Sequence, residues 1–267
     1  MTKASDSSGV QNPAYRFVAF FIYQTGTGNP EIRVSMKITS LVLPFLALAM
    51  LSFTSDKKKT RVVFFGDSIT EAGVQKGGYI DQMRDSLNAL NLSDKYELIG
   101  AGIGGNKVYD LYLRMESDVL AQKPQLVVIY VGVNDVWHKQ TYGTGTDADK
   151  FKKFYDALIS RFYERGIRVV MCTPACIGEK KNGVNPLDKE LDTYSDIIRN
   201  LAREKGCLVA DLRKAFTDYN AENNESDRYS SILTTDGVHL NAKGNQLVAS
   251  LVWKQVESAL ALPKPKI

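Results

Sequence analysis

The sequence predicts an α/β fold, a parallel sheet with helices on both faces, and two observations carry that prediction. Short apolar runs alternate with helix-length periodic segments along residues 56–267. The runs lack polar alternation, which marks strands buried on both sides rather than half-solvated antiparallel ones. Strict β/α alternation then calls for parallel strands joined by crossover helices. No repeat and no domain-sized linker interrupts the pattern, so these residues form one domain of about 210 residues, an ordinary size for a single core.

Taken in order, the first predicted strand is Val62–Phe65. Gly66 and Asp67 break it, and Ser68 follows where a turn or helix must begin. A hydroxyl just past the carboxyl end of a buried strand stands where open α/β sheets place their ligand crevice, so Ser68 is a candidate nucleophile. Its plainer role is a helix N-cap, a common use of Ser after a strand. A periodic segment, Gly78–Leu90, reads as the first long helix, and Tyr96–Ile99 as the second strand.

The turn that comes next, Gly100-Ala-Gly-Ile-Gly-Gly-Asn106, matches G-x-G-x-x-G through Gly100, Gly102 and Gly105. Two facts argue against a dinucleotide site. The fingerprint belongs after the first strand of its sheet, and the acid that would hold the ribose is missing from residues 122–126. What remains is a tight turn whose backbone N–H groups face the crevice and suit an anion or an oxyanion. Lys107–Ala121 reads as a helix and Leu126–Val131 as the third strand. Gly132-Val-Asn134-Asp135 then brings an Asn to the crevice edge, either as a turn cap or as an amide donor to a developing oxyanion.

Trp137–Asp147 is predicted irregular, Ala148–Arg165 helical, and Ile167–Cys172 the fourth strand. Thr173–Asn185 is predicted irregular, Pro186–Lys205 helical, and Cys207–Ala210 the fifth strand. A last irregular piece, Asn220–Asp236, precedes a closing helix at Ala242–Leu262. All three irregular pieces belong at or near the carboxyl edge of the sheet, where binding residues collect. The chain has two histidines. His138 follows Trp137 and reads as a polar rim residue. His239 lies three residues after Asp236, a spacing that lets one turn aim the carboxylate at one ring nitrogen while the other faces a nucleophile.

The N-terminal residues form a separate matter. Met36-Lys37 is followed by an apolar run through Leu51 and then by small residues, the pattern of a secretory signal peptide over 36–55. The apolar stretch falls short of the roughly 20 residues that a spanning helix needs, and Pro44 interrupts it, so no stable membrane insertion is expected. No Cys stands near its exit, which argues against a lipoprotein anchor. Cleavage is expected after Ala49 or at Thr54 or Ser55. Residues 1–35 carry no motif and read as an over-extended or disordered extension, with Met36 the true start.

A net charge of +4 with scattered basic residues gives no footprint for nucleic acid, since Lys57-Lys58-Lys59 is the only basic run. Three cysteines without a matching His or second Cys pair do not make a zinc site. Cys172 and Cys176 are open to one local disulfide, or are two small residues at a strand end.

Read together, Gly66-Asp67-Ser68-Ile69, Gly105, Gly132-x-Asn134-Asp135 and Asp236-x-x-His239 resemble the four blocks of the SGNH (GDSL-type) hydrolase family. The resemblance runs from about residue 60 to residue 260. Ile69 stands where Leu is usual, and Gly100 where members often carry Asn. An ordinary α/β-hydrolase is excluded, because Gly66-x-Ser68-x-Thr70 lacks the second Gly of the nucleophile elbow.

The resemblance implies a three-layer α/β/α sandwich with a five-stranded parallel, flavodoxin-like sheet, and no cofactor or metal. It implies Ser68, Asp236 and His239 as catalytic, with an oxyanion hole from the backbone N–H groups of Ser68 and Gly105 and the Asn134 amide. Asp67, Tyr79, Trp137, His138 and Tyr142 are candidates to contact substrate, expected to be a small-molecule or carbohydrate ester. The expected activity is that of an exported esterase taking short acyl, chiefly acetyl, groups. A lysophospholipase or thioesterase with longer acyl chains is the rival, and a catalytically silent carbohydrate-binding protein a third reading.

Overall fold

The computed structural model describes residues 58–265. The predicted signal peptide and the extension before it lie outside the described residues. Five strands, β1 (Thr60–Gly66), β2 (Tyr96–Gly102), β3 (Leu126–Tyr130), β4 (Arg168–Cys172) and β5 (Leu208–Ala210), form one sheet in the order β2-β1-β3-β4-β5. Every neighbouring pair is parallel. This is the flavodoxin-like order, whose switch point falls between β1 and β3.

The helices are α1 (Ser68–Gly73), α2 (Tyr79–Ala89), α3 (Val108–Asp118), α4 (Val133–Thr141), α5 (Ala148–Tyr163), α6 (Asp188–Lys205), α7 (Leu212–Asn223) and α8 (Ala242–Ala261). Helices α2 and α8 pack on each other over one face of the sheet, while α3, α5 and α6 pack in series over the other. Sequence dictates which side each helix buries. In α6, Leu191, Tyr194, Ile198 and Leu201 recur three or four residues apart, form one stripe, and are all buried. Strands β1 and β3 have helices on both sides, and Val62–Phe65 and Leu126–Tyr130 are buried without a break.

Two helices run into stretches predicted to be irregular. Helix α4 runs through Trp137 and His138 to Thr141, so those two residues stand on a helix and not in a loop. Its buried side includes Asn134 and Asp135 beside Val133 and Val136, and buried polar residues erase the apolar periodicity that announces a helix. Helix α7 buries Leu212 and Phe216, one turn apart, but continues through polar residues to Asn223. Cys172 and Cys176 are free, buried thiols with no bridge between them.

The register aligns the carboxyl ends of all five strands. Gly102 pairs with Gly66, Gly66 with Tyr130, Tyr130 with Cys172, and Cys172 with Ala210. The segments leaving this row share one edge. Two glycines let α1 fold back tightly against it. A Cβ on Gly66 would strike the Tyr130 carbonyl, and one on Gly102 would strike the Glu71 backbone nitrogen. Because all three atoms nearest to a Cβ at Gly102 are backbone, which cannot swing away, Gly102→Ala should lower the unfolding free energy by about 3 kcal/mol, the upper end for overpacking. Urea denaturation measures it, and a loss below about 1 kcal/mol would show that α1 can lift from the sheet.

Candidate active site

The site begins where β1 meets α1. Asp67, in extended backbone conformation, caps the helix by accepting from the Ile69 N–H at 3.0 Å. Ser68 is therefore not the cap, and its hydroxyl is free for another partner. That partner is His239, whose Nε2 lies 3.0 Å from Ser68 Oγ. The other ring nitrogen, Nδ1, lies 2.7 Å from Asp236 Oδ2. With Nδ1–H donating to the carboxylate, Nε2 presents its lone pair to the hydroxyl.

A small hairpin makes this geometry. Thr234 and Leu240 form an antiparallel bridge, and the Thr235 N–H donates to the His239 carbonyl at 2.8 Å. Gly237, at φ +98°, makes the turn, a conformation that strains any residue with a Cβ. Asp236 Oδ1 accepts from the N–H groups of Val238 (2.9 Å) and His239 (2.8 Å). Partial burial raises the carboxyl pKa, but the His239 ring and these backbone donors outweigh it and hold Asp236 below the usual carboxylate range.

The second side of the site is the turn after β2. Ile103 N–H donates to the Gly66 carbonyl at 3.2 Å, and Gly104 N–H to Glu71 Oε2 at 2.9 Å. A Cβ on Gly104 would sit 3.9 Å from Ser68 Cβ, so this turn passes directly beside the serine. Gly105 is left-handed at φ +74°, and Lys107 Nζ holds its carbonyl at 2.7 Å. Val74 fills the space where a side chain at Gly100 would go. Support comes instead from Glu71 and Arg114. Arg114 lies over the Phe65 ring at 4.6 Å and donates to Asn106 Oδ1 (2.7 Å), the Gly66 carbonyl (2.8 Å) and the Ala101 carbonyl (3.0 Å). Neither residue has a sequence signature, because an acid or an Arg on a helix normally reads as a solvated face.

Asn134 enters from the first turn of α4. Its Nδ2 donates to the Asn106 carbonyl at 3.1 Å, which fixes the amide and leaves its second N–H free. The next residue, Asp135, is fully buried and accepts from the Val108 N–H at 3.1 and 3.3 Å, tying α4 to the start of α3. Outward along α4, His138 meets Tyr142 edge-on at 4.8 Å and Trp137 at 5.7 Å. The His138 ring carbon Cε1 lies 3.8 Å from where a Gly105 Cβ would be, so His138 rims the Gly105 turn.

Two predicted substrate contacts are corrected. Tyr79 is fully buried, with its hydroxyl 3.0 Å from Thr70 Oγ1 and its ring edge-on to Phe64 at 5.9 Å. It belongs to the buried stripe of α2 with Ile80, Met83 and Leu87. Asp67 is 2% exposed and spends its carboxylate on the α1 cap. Among the described residues, no group of three or more His, Cys, Asp or Glu side chains is gathered as a metal site.

Burial pushes both Asp67 and Asp135 up to about 7, against the backbone N–H donors each accepts from. A carboxyl whose pKa is raised by folding binds protons more tightly in the native state. Its contribution is full below about pH 4, its unfolded value, and is lost as pH rises through 7. The melting temperature should therefore fall between pH 5 and pH 8. Asp135→Asn, which keeps an acceptor for Val108 but cannot ionise, should flatten that fall. Thermal unfolding across this range measures it, and an unchanged slope would clear Asp135 of the effect.

Comparison with known proteins fits this geometry. The model of the GDSL-like lipase/acylhydrolase family matches residues 64–247, more than half of the chain. An acetylxylan esterase from Geobacillus stearothermophilus is 27% identical over 213 residues, 73% of this chain and 93% of that protein. A human isoamyl acetate-hydrolyzing esterase 1 homolog is 26% identical over 221 residues, 75% of this chain and 83% of that protein. The crystal structure of an acetyl xylan esterase, AlAXEase, superposes with a TM-score of 0.73 at 56% identity, covering 73% of this chain and 99% of that one. The chain described here belongs to the GDSL-like lipase/acylhydrolase family.

Proposed function

We propose that this protein is an exported serine esterase that removes acetyl groups from carbohydrate through an acyl-enzyme. The observation that carries the mechanism is the relay from Ser68 Oγ to His239 Nε2 at 3.0 Å and from His239 Nδ1 to Asp236 at 2.7 Å. A serine hydroxyl is a weak nucleophile near neutral pH and needs a base within hydrogen-bond reach. As Ser68 Oγ attacks the ester carbonyl, His239 takes its proton, and Asp236 stabilises the imidazolium and keeps the productive tautomer.

The carbonyl oxygen becomes an oxyanion in the cradle of the Ser68 and Gly105 N–H groups and the free N–H of Asn134. Collapse breaks the ester C–O bond, and His239 returns its proton to the leaving alcohol. Water then attacks the acyl-serine, with His239 again as base, and releases the acid and the free hydroxyl.

The substrate reading has two supports. Acetylxylan esterases are among the relatives, one of them a solved structure at 56% identity. His138 stands beside the Gly105 turn, and Tyr142, edge-on to His138, is 68% exposed, as a platform for a sugar ring requires. An intact Ser–His–Asp relay speaks against a silent binding protein. Export is supported by the basic, apolar and small-residue order of residues 36–55.

Ser68→Ala should abolish hydrolysis of p-nitrophenyl acetate while circular dichroism stays native, and retained turnover would reject the assignment. Asn134→Ala should lower kcat about a hundred- to a thousandfold with little change in KM, because the lost donor acts on the transition state. Across a panel of acyl lengths, acetyl esters should be turned over faster than octanoyl esters. The reverse order would move the protein to the long-chain acylhydrolases.

A further inference from the structure

The hairpin that carries Asp236 and His239 belongs to no strand of the central sheet, and both side chains are substantially exposed, 52% and 39%. Local structure alone does not account for a base held within hydrogen-bond reach of Ser68. The loop after β4 supplies the missing support. Glu179, fully buried in that loop, accepts three consecutive backbone N–H groups from one leg of the hairpin. Its Oε1 takes Leu233 at 2.6 Å and Thr234 at 3.0 Å, and its Oε2 takes Ile232 at 2.9 Å.

Neighbouring residues fasten the rest. The Gly178 N–H donates to the Gly237 carbonyl at the hairpin tip (2.8 Å), and the Cys176 thiol approaches the same oxygen at 3.4 Å. The Glu179 N–H donates to the Tyr229 carbonyl at 2.8 Å, and Asn224 Nδ2 bridges the Glu179 and Arg228 carbonyls at 2.7 and 2.8 Å.

A buried carboxyl is costly, and among the described residues no Lys or Arg forms an ion pair with Glu179. Three converging N–H donors offset that cost only while residues 232–234 keep one curvature. An apolar side chain would fill the same space without imposing any curvature. We propose that Glu179 is a positioning residue that sets His239 within reach of Ser68 by fixing the leg of its hairpin. The inference rests on the roles proposed above for Asp236 and His239.

The test compares the wild-type chain with Glu179→Gln, Glu179→Asp, Ser68→Ala and His239→Ala, at a temperature where circular dichroism shows each folded. Glu179→Gln turns one acceptor into a donor aimed at a backbone N–H. It should lower kcat for p-nitrophenyl acetate about ten- to a hundredfold with KM within about twofold, as displacement of a catalytic group does. The low-field proton resonance of the His239–Asp236 hydrogen bond should weaken with it. Glu179→Asp, one methylene short but with both acceptors, should restore part of the rate.

A kcat within about twofold of wild type with the resonance intact would overturn the inference, leaving Glu179 a contributor to stability alone. Turnover surviving in Ser68→Ala or His239→Ala would instead reject the underlying roles. If Glu179→Gln does not fold, hydrogen exchange in the wild-type chain decides. Amides of residues 232–234 as slow as those of β1 support the capture, and exchange at the rate of exposed loops overturns it.

Discussion

A hydroxyl and an imidazole 171 residues apart meet at 3.0 Å, and most of the structure can be read as the means to that meeting. The parallel sheet contributes first. Its register sends every strand out at one edge, so segments distant in sequence leave from adjacent points. At the switch point, β1 delivers Ser68 and β3 delivers Asn134. The turn after β2 closes in because Gly66 and Gly102 allow backbone to lie on backbone. The imidazole arrives differently, on a hairpin outside the sheet that other loops must hold.

Much of this was legible in residue types. Unbroken apolar runs gave the strands, and Gly, Ser, Asn and His at the ends of β/α units gave the residues that converge. Legibility failed where tertiary context overrode local pattern. Helix α4 buries Asn134 and Asp135, so its periodicity is written partly in polar residues. Tyr79 and Asp67 sit close in sequence to the expected crevice, yet core packing claims one and helix capping the other. Glu71, Arg114 and Glu179 were invisible because their partners include backbone groups, and a backbone N–H or carbonyl leaves no trace in sequence.

Those same residues show how the site is stiffened. Among the described residues, buried Asp67, Asp135 and Glu179 each accept backbone N–H groups rather than pairing with a cation at ion-pair distance. Each ties a helix start or a loop to a fixed neighbour. Arg114 does the converse, gathering carbonyls from two strands and the side chain of Asn106. Buried polar groups used this way fix direction as well as distance, which apolar packing does less well.

The cysteines have a bearing on what holds the fold together. Burial pushes the thiols of Cys172 and Cys176 well above their ordinary range, so almost no thiolate is available to either. Thiolate is the species that oxidants and disulfide exchange require. Once folded, these two thiols are poor partners for disulfide exchange, while the third, Cys207, is half-buried beside the Tyr163 hydroxyl at 3.0 Å. Among the described residues the fold is therefore held by packing and hydrogen bonds, with no disulfide between Cys172 and Cys176.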